Sequence, residues 1–173
     1  MPELFRTRDV VVLAKGTTYT CAASPLMIQN GWAGGQGVRW DDSPLDEFRV
    51  HYGDGVRGAG FALWGSNENS DQLTSTTGYQ TEYGHLVVCA GSWLIMTGIY
   101  EQYTLASRLV PPLVPISYAV GDHLYWSLRG LWTKEDEWTI SGDPRAPNPN
   151  TVGNVIQVPS AANNGFMTLQ TTL

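Results

Sequence analysis

Apolar positions along this chain fall in short runs, many alternating with polar ones, with glycine or proline between them. Val10 to Leu13 is a β-branched run, and Thr17 to Ser24 follows it. The two predict a hairpin turning at Lys15-Gly16. Phe48, Val50 and Tyr52 alternate with Glu47, Arg49 and His51, which is strand period, closed by a glycine turn at Gly53-Asp54-Gly55. Gly60 to Ser66 predicts the returning strand. His85 to Ala90 and Trp93 to Tyr103 predict two more, separated at Gly91-Ser92. The closing segment predicts strands over Val152 to Val158 and Phe166 to Leu173, joined through the turn dipeptide Asn164-Gly165.

Between these runs lie connectors. Asn30 to Pro44 holds Gly31, Gly34, Gly35 and Gly37 and reads as a loop. Ser43-Pro44 with Asp46 has the form of a helix start, worth at most one turn before the strand pattern resumes. Asn67 to Gly84 and Lys134 to Asn150 are polar and read as exposed loops. Ser107 to Ser117 carries Pro111, Pro112 and Pro115. Proline cannot donate to a ladder, so this segment reads as an edge or a connector. The stretch from Tyr118 to Thr133, "YAVGDHLYWSLRGLWT", reads as a hairpin entered at Gly121-Asp122 and turned at Gly130. Leu124 and Trp126 point inward there, and Tyr125 points the other way.

The expected fold is all-β, a small β-barrel or β-sandwich with long loops and little helix. A β-rich part over 1–110, with an extended arm over 1–9, meets a C-terminal β-barrel part over 111–173. The two are expected to form one compact unit. Composition agrees. Of 173 residues only 15% are charged, against about 25% in ordinary domains. Glycine numbers 19.

Charge narrows the partners. The formal net charge is -6, and the basic residues are scattered. No clustered cations are present to neutralise phosphates, so neither direct nucleic-acid binding nor a polybasic membrane contact is expected. The start, "MPELFRTRDVVVLAKG", has charges where a leader needs an apolar core, so folding in a cytoplasm is expected. Cys21 and Cys89 lack metal-ligand spacing and are expected to be buried free thiols.

Candidate chemistry is sparse. His51, His85 and His123 have no second ligand at metal-binding spacing, and no metal or cofactor is expected. Ser92 in "AGSWL" lacks the second glycine of a nucleophile elbow. The acidic groups Asp41-Asp42, Asp46-Glu47 and Glu135-Asp136-Glu137 read as solvated loop acids rather than a catalytic pair, which needs two carboxylates roughly 5–10 Å apart across a cleft. No catalytic residue is therefore assigned. Of the seven tryptophans, Trp64 and Trp93 sit among apolar neighbours and are expected in the core. Trp32, Trp40 and Trp138 fall in polar or glycine-rich segments and are the candidate contact residues. Leu4, Phe5, Arg6 and Arg8 precede the first strong strand. They join that set as an arm that either frays or orders on a neighbour.

The C-terminal half carries a resemblance. In order it shows Gly121-Asp122, the strand "HLYW", the turn at Gly130, a strand opening at Val152-Gly153, and a last strand from Leu169 to Leu173. This order resembles small β-rich head decoration, cement or capsid-fibre proteins of tailed bacteriophages. It covers roughly Gly84 to Leu173, and the long loop over Lys134 to Asn150 departs from the compact family pattern. The resemblance implies a non-enzymatic structural protein of the virion. It would sit as a homotrimer on the capsid surface, bind the major capsid protein and brace the shell. The alternative from another class is a tail or receptor-binding virion module that reads carbohydrate with its loop tryptophans.

Overall fold

The computed structural model describes residues 3–40, 49–53, 58–66, 85–142 and 151–173. Its strands are β1 (Phe5–Arg6), β2 (Val10–Ala14), β3 (Thr17–Ala23), β4 (Gly37–Trp40), β5 (Arg49–Tyr52) and β6 (Gly60–Ala62). They continue as β7 (His85–Ala90), β8 (Leu94–Thr97), β9 (His123–Trp126), β10 (Trp132–Thr133), β11 (Gly153–Gln157) and β12 (Met167–Thr171). Among the described residues they are interrupted by the short α-helices α1 (Pro25–Asn30), α2 (Leu105–Leu109) and α3 (Glu137–Ser141) and by a 3-10 turn at Ala161–Asn163.

The fold is all-β, in two sheets. One is a closed barrel in the order β3-β5-β4-β6-β7. The other is an open sheet in the order β1-β2-β8-β12-β11-β9-β10. Closure removes the exposed edges of the first, while the second keeps the short β1 and β10 at its margins. The open sheet draws strands from both sides of Pro111, and the barrel lies wholly before it. The proline segment is thus a connection within the sheet's chain path rather than a boundary between a leading part and a C-terminal barrel.

One buried cluster runs across both sheets. Ile95, Leu124 and Trp126 of the sheet belong with Phe61, Val87 and Cys89 of the barrel. Phe61 stands edge-on to Trp93 and Trp132, with centroids 5.8 and 5.9 Å apart, an arrangement aromatic quadrupoles favour. Gly37 sets the approach of the two sheets. A Cβ at this position would lie 2.4 Å from the Trp126 indole, and the Gly37 N–H donates to the Gly130 carbonyl at 2.7 Å. A second cluster, around Met27, Val38, Val50 and Val88, belongs to the barrel and α1.

Several expectations hold in detail. Leu124 and Trp126 are buried and Tyr125 is half-buried. β9 and β10 pair as the hairpin read from the sequence, with Trp126 opposite Trp132. β11 and β12 pair antiparallel, and the turn between them uses Asn164 at φ 57° and Gly165 at φ 74°. Trp64 and Trp93 are core residues, and both cysteines are buried free thiols.

Others are corrected. β2 and β3 do not form a hairpin. β2 pairs with β1 and β8, while β3 pairs with β7 and β5, so Lys15-Gly16 is where the chain crosses from one sheet to the other. Gly37 to Trp40, read as part of the loop from Asn30 to Pro44, is a strand. The strand read over Trp93 to Tyr103 stops at Thr97. The extended arm is also revised. Leu4 donates its N–H to the Val12 carbonyl at 2.8 Å, and Phe5 and Arg6 lie opposite Val12 and Val11 as a folded edge strand. The helix start at Ser43-Pro44 and the loop over 67–84 fall outside the described residues.

Candidate interaction surface

The acids, histidines and thiols come first, because they decide whether chemistry is available. Among the described residues no group of three or more His, Cys, Asp or Glu is placed to hold a metal ion. Burial pushes the Cys21 thiol up to about 12, and raises Cys89 well above its ordinary value. Both are therefore poor nucleophiles. Ser24 and His51 do meet, Oγ to Nδ1 at 2.7 Å, but the serine is buried and its Oγ also accepts from the Met27 N–H as the cap of α1. Pairing and capping account for both groups. His123 Nδ1 lies 2.8 Å from Asn154 Oδ1 at the surface. Asp41, Asp42, Asp46 and Glu47 lie outside the described residues.

Of the acids at 135–137, Glu135 and Asp136 are half-buried and Glu137 is buried, which corrects the reading of Glu137 as a solvated loop acid. Glu135 accepts the Leu105 N–H at 2.8 Å, and Asp136 caps α3 by accepting from Thr139 N–H at 3.0 Å. Glu137 is fully buried. It meets the Arg108 guanidinium and accepts the Leu128 N–H at 2.9 Å. Glu101, also buried, takes the other side of Arg108 at 3.4 Å and is paired with Arg129 as well. Burial raises the Glu137 carboxyl above its ordinary value, outweighing the Leu128 hydrogen bond and Arg108. The cluster has two carboxylates, but an arginine fills the space between them, so no substrate bond can lie there.

What this cluster does is brace a loop. Gln102 to Thr104 and Val114 to Ile116 run antiparallel. Thr104 N–H donates to Val114 O at 2.9 Å, and Ile116 N–H to Gln102 O at 2.8 Å. Helix α2 sits at the head of this excursion, capped by Thr104. Arg108 leaves α2 for Glu101 and Glu137 and donates to the Tyr103 carbonyl at 3.1 Å. The Tyr118 hydroxyl closes the base by donating to the Glu101 carbonyl at 2.6 Å. Beyond these fastenings the tip is apolar and bare: Leu109 is 72% exposed, Val110 74%, Leu113 52% and Val114 51%.

The residues singled out from sequence separate into distinct places. Leu4 and Arg6 lie on the sheet margin, Leu4 exposed and Arg6 in an exposed pair with Glu3 at 2.9 Å, beside Phe5 in β1. Arg8 and Trp32 come together in a cleft of about 310 Å³ that Asp9, Asn30, Gln36 and Ser66 also line. Trp32 is fastened there, its Nε1–H donating to the Trp64 carbonyl at 2.8 Å. Trp40 ends β4, is 42% exposed, and stacks on Tyr19 at 5.7 Å and 16°. Trp138 is corrected: it lies within α3 and is 5% exposed, so its ring is core. The braced apolar loop was read from sequence only as a proline connector. The signal that marks it is a run from Leu109 to Gly121 without a charged residue, interrupted by prolines that keep it out of a ladder.

Compared with known proteins, the chain matches no family model and no curated protein sequence.

Proposed function

We propose that this chain is a non-enzymatic structural protein of a tailed-phage virion, a capsid decoration protein that binds the assembled shell and stabilises it. The observation that carries this reading is the ordered C-terminal pattern, Gly121-Asp122, "HLYW", Gly130, Val152-Gly153 and the last strand. In support, those segments occupy β9, β10, β11 and β12, neighbours in one sheet. Two further features fit a protein that works by contact. Glu101, Arg108, Glu135 and Asp136 are committed to capping and bracing, and the exposed Leu109, Val110, Leu113 and Val114 are held on the loop they fasten. The partner on this reading is the major capsid protein. The chain acts as a homotrimer, is made in the host cytoplasm and ends on the capsid surface. Touching several shell subunits at once lets modest contacts add to firm attachment.

The test is co-sedimentation of purified protein with expanded, undecorated capsids. Pelleting with the shells supports the reading, and recovery wholly in the supernatant at every salt concentration would sink it. One observation favours a second reading. Trp40, exposed and stacked on Tyr19, offers an aromatic face of the kind that sugars stack on. A glycan-binding virion module would show glycan binding that Trp40→Ala abolishes, without attachment to shells.

A further inference from the structure

We propose that the cleft between the β1–β2 turn and the segment after α1 is a binding site for a neutral saccharide. The proposal is independent of shell attachment, since it concerns a small ligand held by this chain alone.

The cleft holds about 310 Å³, at the lower end of the range for ligand pockets. Its walls come from both sheets. Arg8 and Asp9 turn the chain from β1 into β2 of the open sheet, while Trp32 and Gln36 lie between α1 and β4 of the barrel. Glycines let the walls come close. A Cβ at Gly31 would lie 2.7 Å from Ser66 Oγ, and one at Gly65 would lie 3.1 Å from the Trp32 carbonyl oxygen. The wall is set before a ligand arrives. Trp32 N–H donates to Ser66 Oγ at 3.0 Å, Ser66 N–H donates to the Trp32 carbonyl at 2.9 Å, and the Trp64 carbonyl holds the indole N–H. Gln36 is fastened between the Ala33 N–H and the Arg129 carbonyl. A site already ordered loses little conformational freedom on binding.

The lining decides among ligand classes. Among the described residues its charged side chains are Arg8 and Asp9, opposite in sign and 3.6 Å apart. They leave no net charge to attract an ion. A phosphate or carboxylate also needs backbone N–H groups turned towards it. Those of Gly31, Ala33 and Ser66 already donate, to the Met27 carbonyl, Gln36 Oε1 and the Trp32 carbonyl. An aliphatic ligand would strip water from Asp9 and the exposed Asn30 amide and give nothing in return. A ligand with many hydroxyls suits these groups. Each hydroxyl both donates and accepts, so neighbouring ones match a carboxylate, an amide or a guanidinium. Trp32 adds the apolar surface that the C–H positions of a sugar ring require.

The experiment is saturation-transfer NMR on the full chain, with glucose, galactose, mannose, N-acetylglucosamine and their disaccharides as probes. A ligand of roughly a dozen heavy atoms is expected to bind with a Kd of about 1 mM. Asn30→Ala and Asp9→Asn are each expected to weaken that binding on the order of tenfold. Both are expected to melt as wild type, because Asn30 is exposed and Asp9 reaches Thr97 through its backbone carbonyl, which the change leaves in place. Trp40→Ala, on β4, is expected to bind sugar as wild type. No signal from any probe at about 10 mM overturns the inference. Sugar binding that survives both cleft substitutions, or that Trp40→Ala abolishes, puts the ligand elsewhere and overturns it as well. Displacement of the sugar by inorganic phosphate overturns it in favour of an anion site. Capsid pelleting is a separate measurement, so losing the saccharide site leaves the shell reading standing.

Discussion

Arg108 joins two carboxylates that burial would otherwise make costly. Glu101 and Glu137 are both buried, and the guanidinium reaches both while also donating to the Tyr103 carbonyl. Removing it leaves buried Glu137 without its cation and Glu101 with Arg129 alone. Arg108→Ala should therefore lower unfolding free energy by about 3 to 5 kcal/mol, the usual loss when a buried pair is broken from one side. Urea denaturation measures it, and a change under about 1 kcal/mol would show that water reaches the cluster. Glu137 adds a pH dependence. Its folded-state value is raised above the model-compound 4.5, so the native chain holds this proton more tightly than the unfolded one. Its contribution to stability is present below about 4.5 and is lost as pH rises through the raised value. Between about pH 4 and pH 7, wild type should lose stability relative to Glu137→Gln. A difference that instead grows in favour of wild type with rising pH contradicts this. None of this cluster was legible in the sequence. Its members lie as far apart as Glu101 and Glu137, and a run such as Glu135-Asp136-Glu137 has the form of any solvated loop. Only the fold decides that each acid has its own donor.

At the scale of elements, alternation and turn dipeptides marked most strands, because a half-buried strand writes its period directly into the chain. The partners of those strands were harder. β3 follows β2 closely yet pairs with β7, some seventy residues on, as in Thr18 opposite Cys89. Sequence proximity favours the hairpin, but burial of both sheets against one core favours the crossover. Helices α1, α2 and α3 were missed because each is about one turn long and shows no amphipathic period. Their caps were visible nonetheless. Ser24-Pro25 has the same form as Ser43-Pro44, and it does start a helix. Gly37 tests how closely the elements are fitted. Gly37→Ala places a methyl 2.4 Å from the Trp126 ring, so β4 or β9 must shift. The expected loss is about 1 to 3 kcal/mol. The thermal transition should move as a whole, since Trp126 and Phe61 belong to one buried cluster. A split into two transitions would mean that barrel and sheet unfold independently.

For the whole molecule, the two sheets share one buried cluster, and the braced loop is fastened beside it. The candidate contact residues read from the sequence do not converge on one spot. Arg8 and Trp32 share a cleft, Trp40 stands on the barrel's β4, and Trp138 is core. Among the described residues, Leu109, Val110, Leu113 and Val114 gather bare apolar side chains at the loop tip. Its exposure could not be told from sequence, because the same leucines and valines in a strand would be buried. The central claim, binding to a shell through a largely uncharged surface, is tested most directly by a saturation isotherm on undecorated capsids at low and high salt. The account predicts saturation at a fixed number of copies per shell, with affinity changing little between the two conditions because charge contributes little to the contact. Binding that never saturates, or that vanishes at high salt, would contradict it.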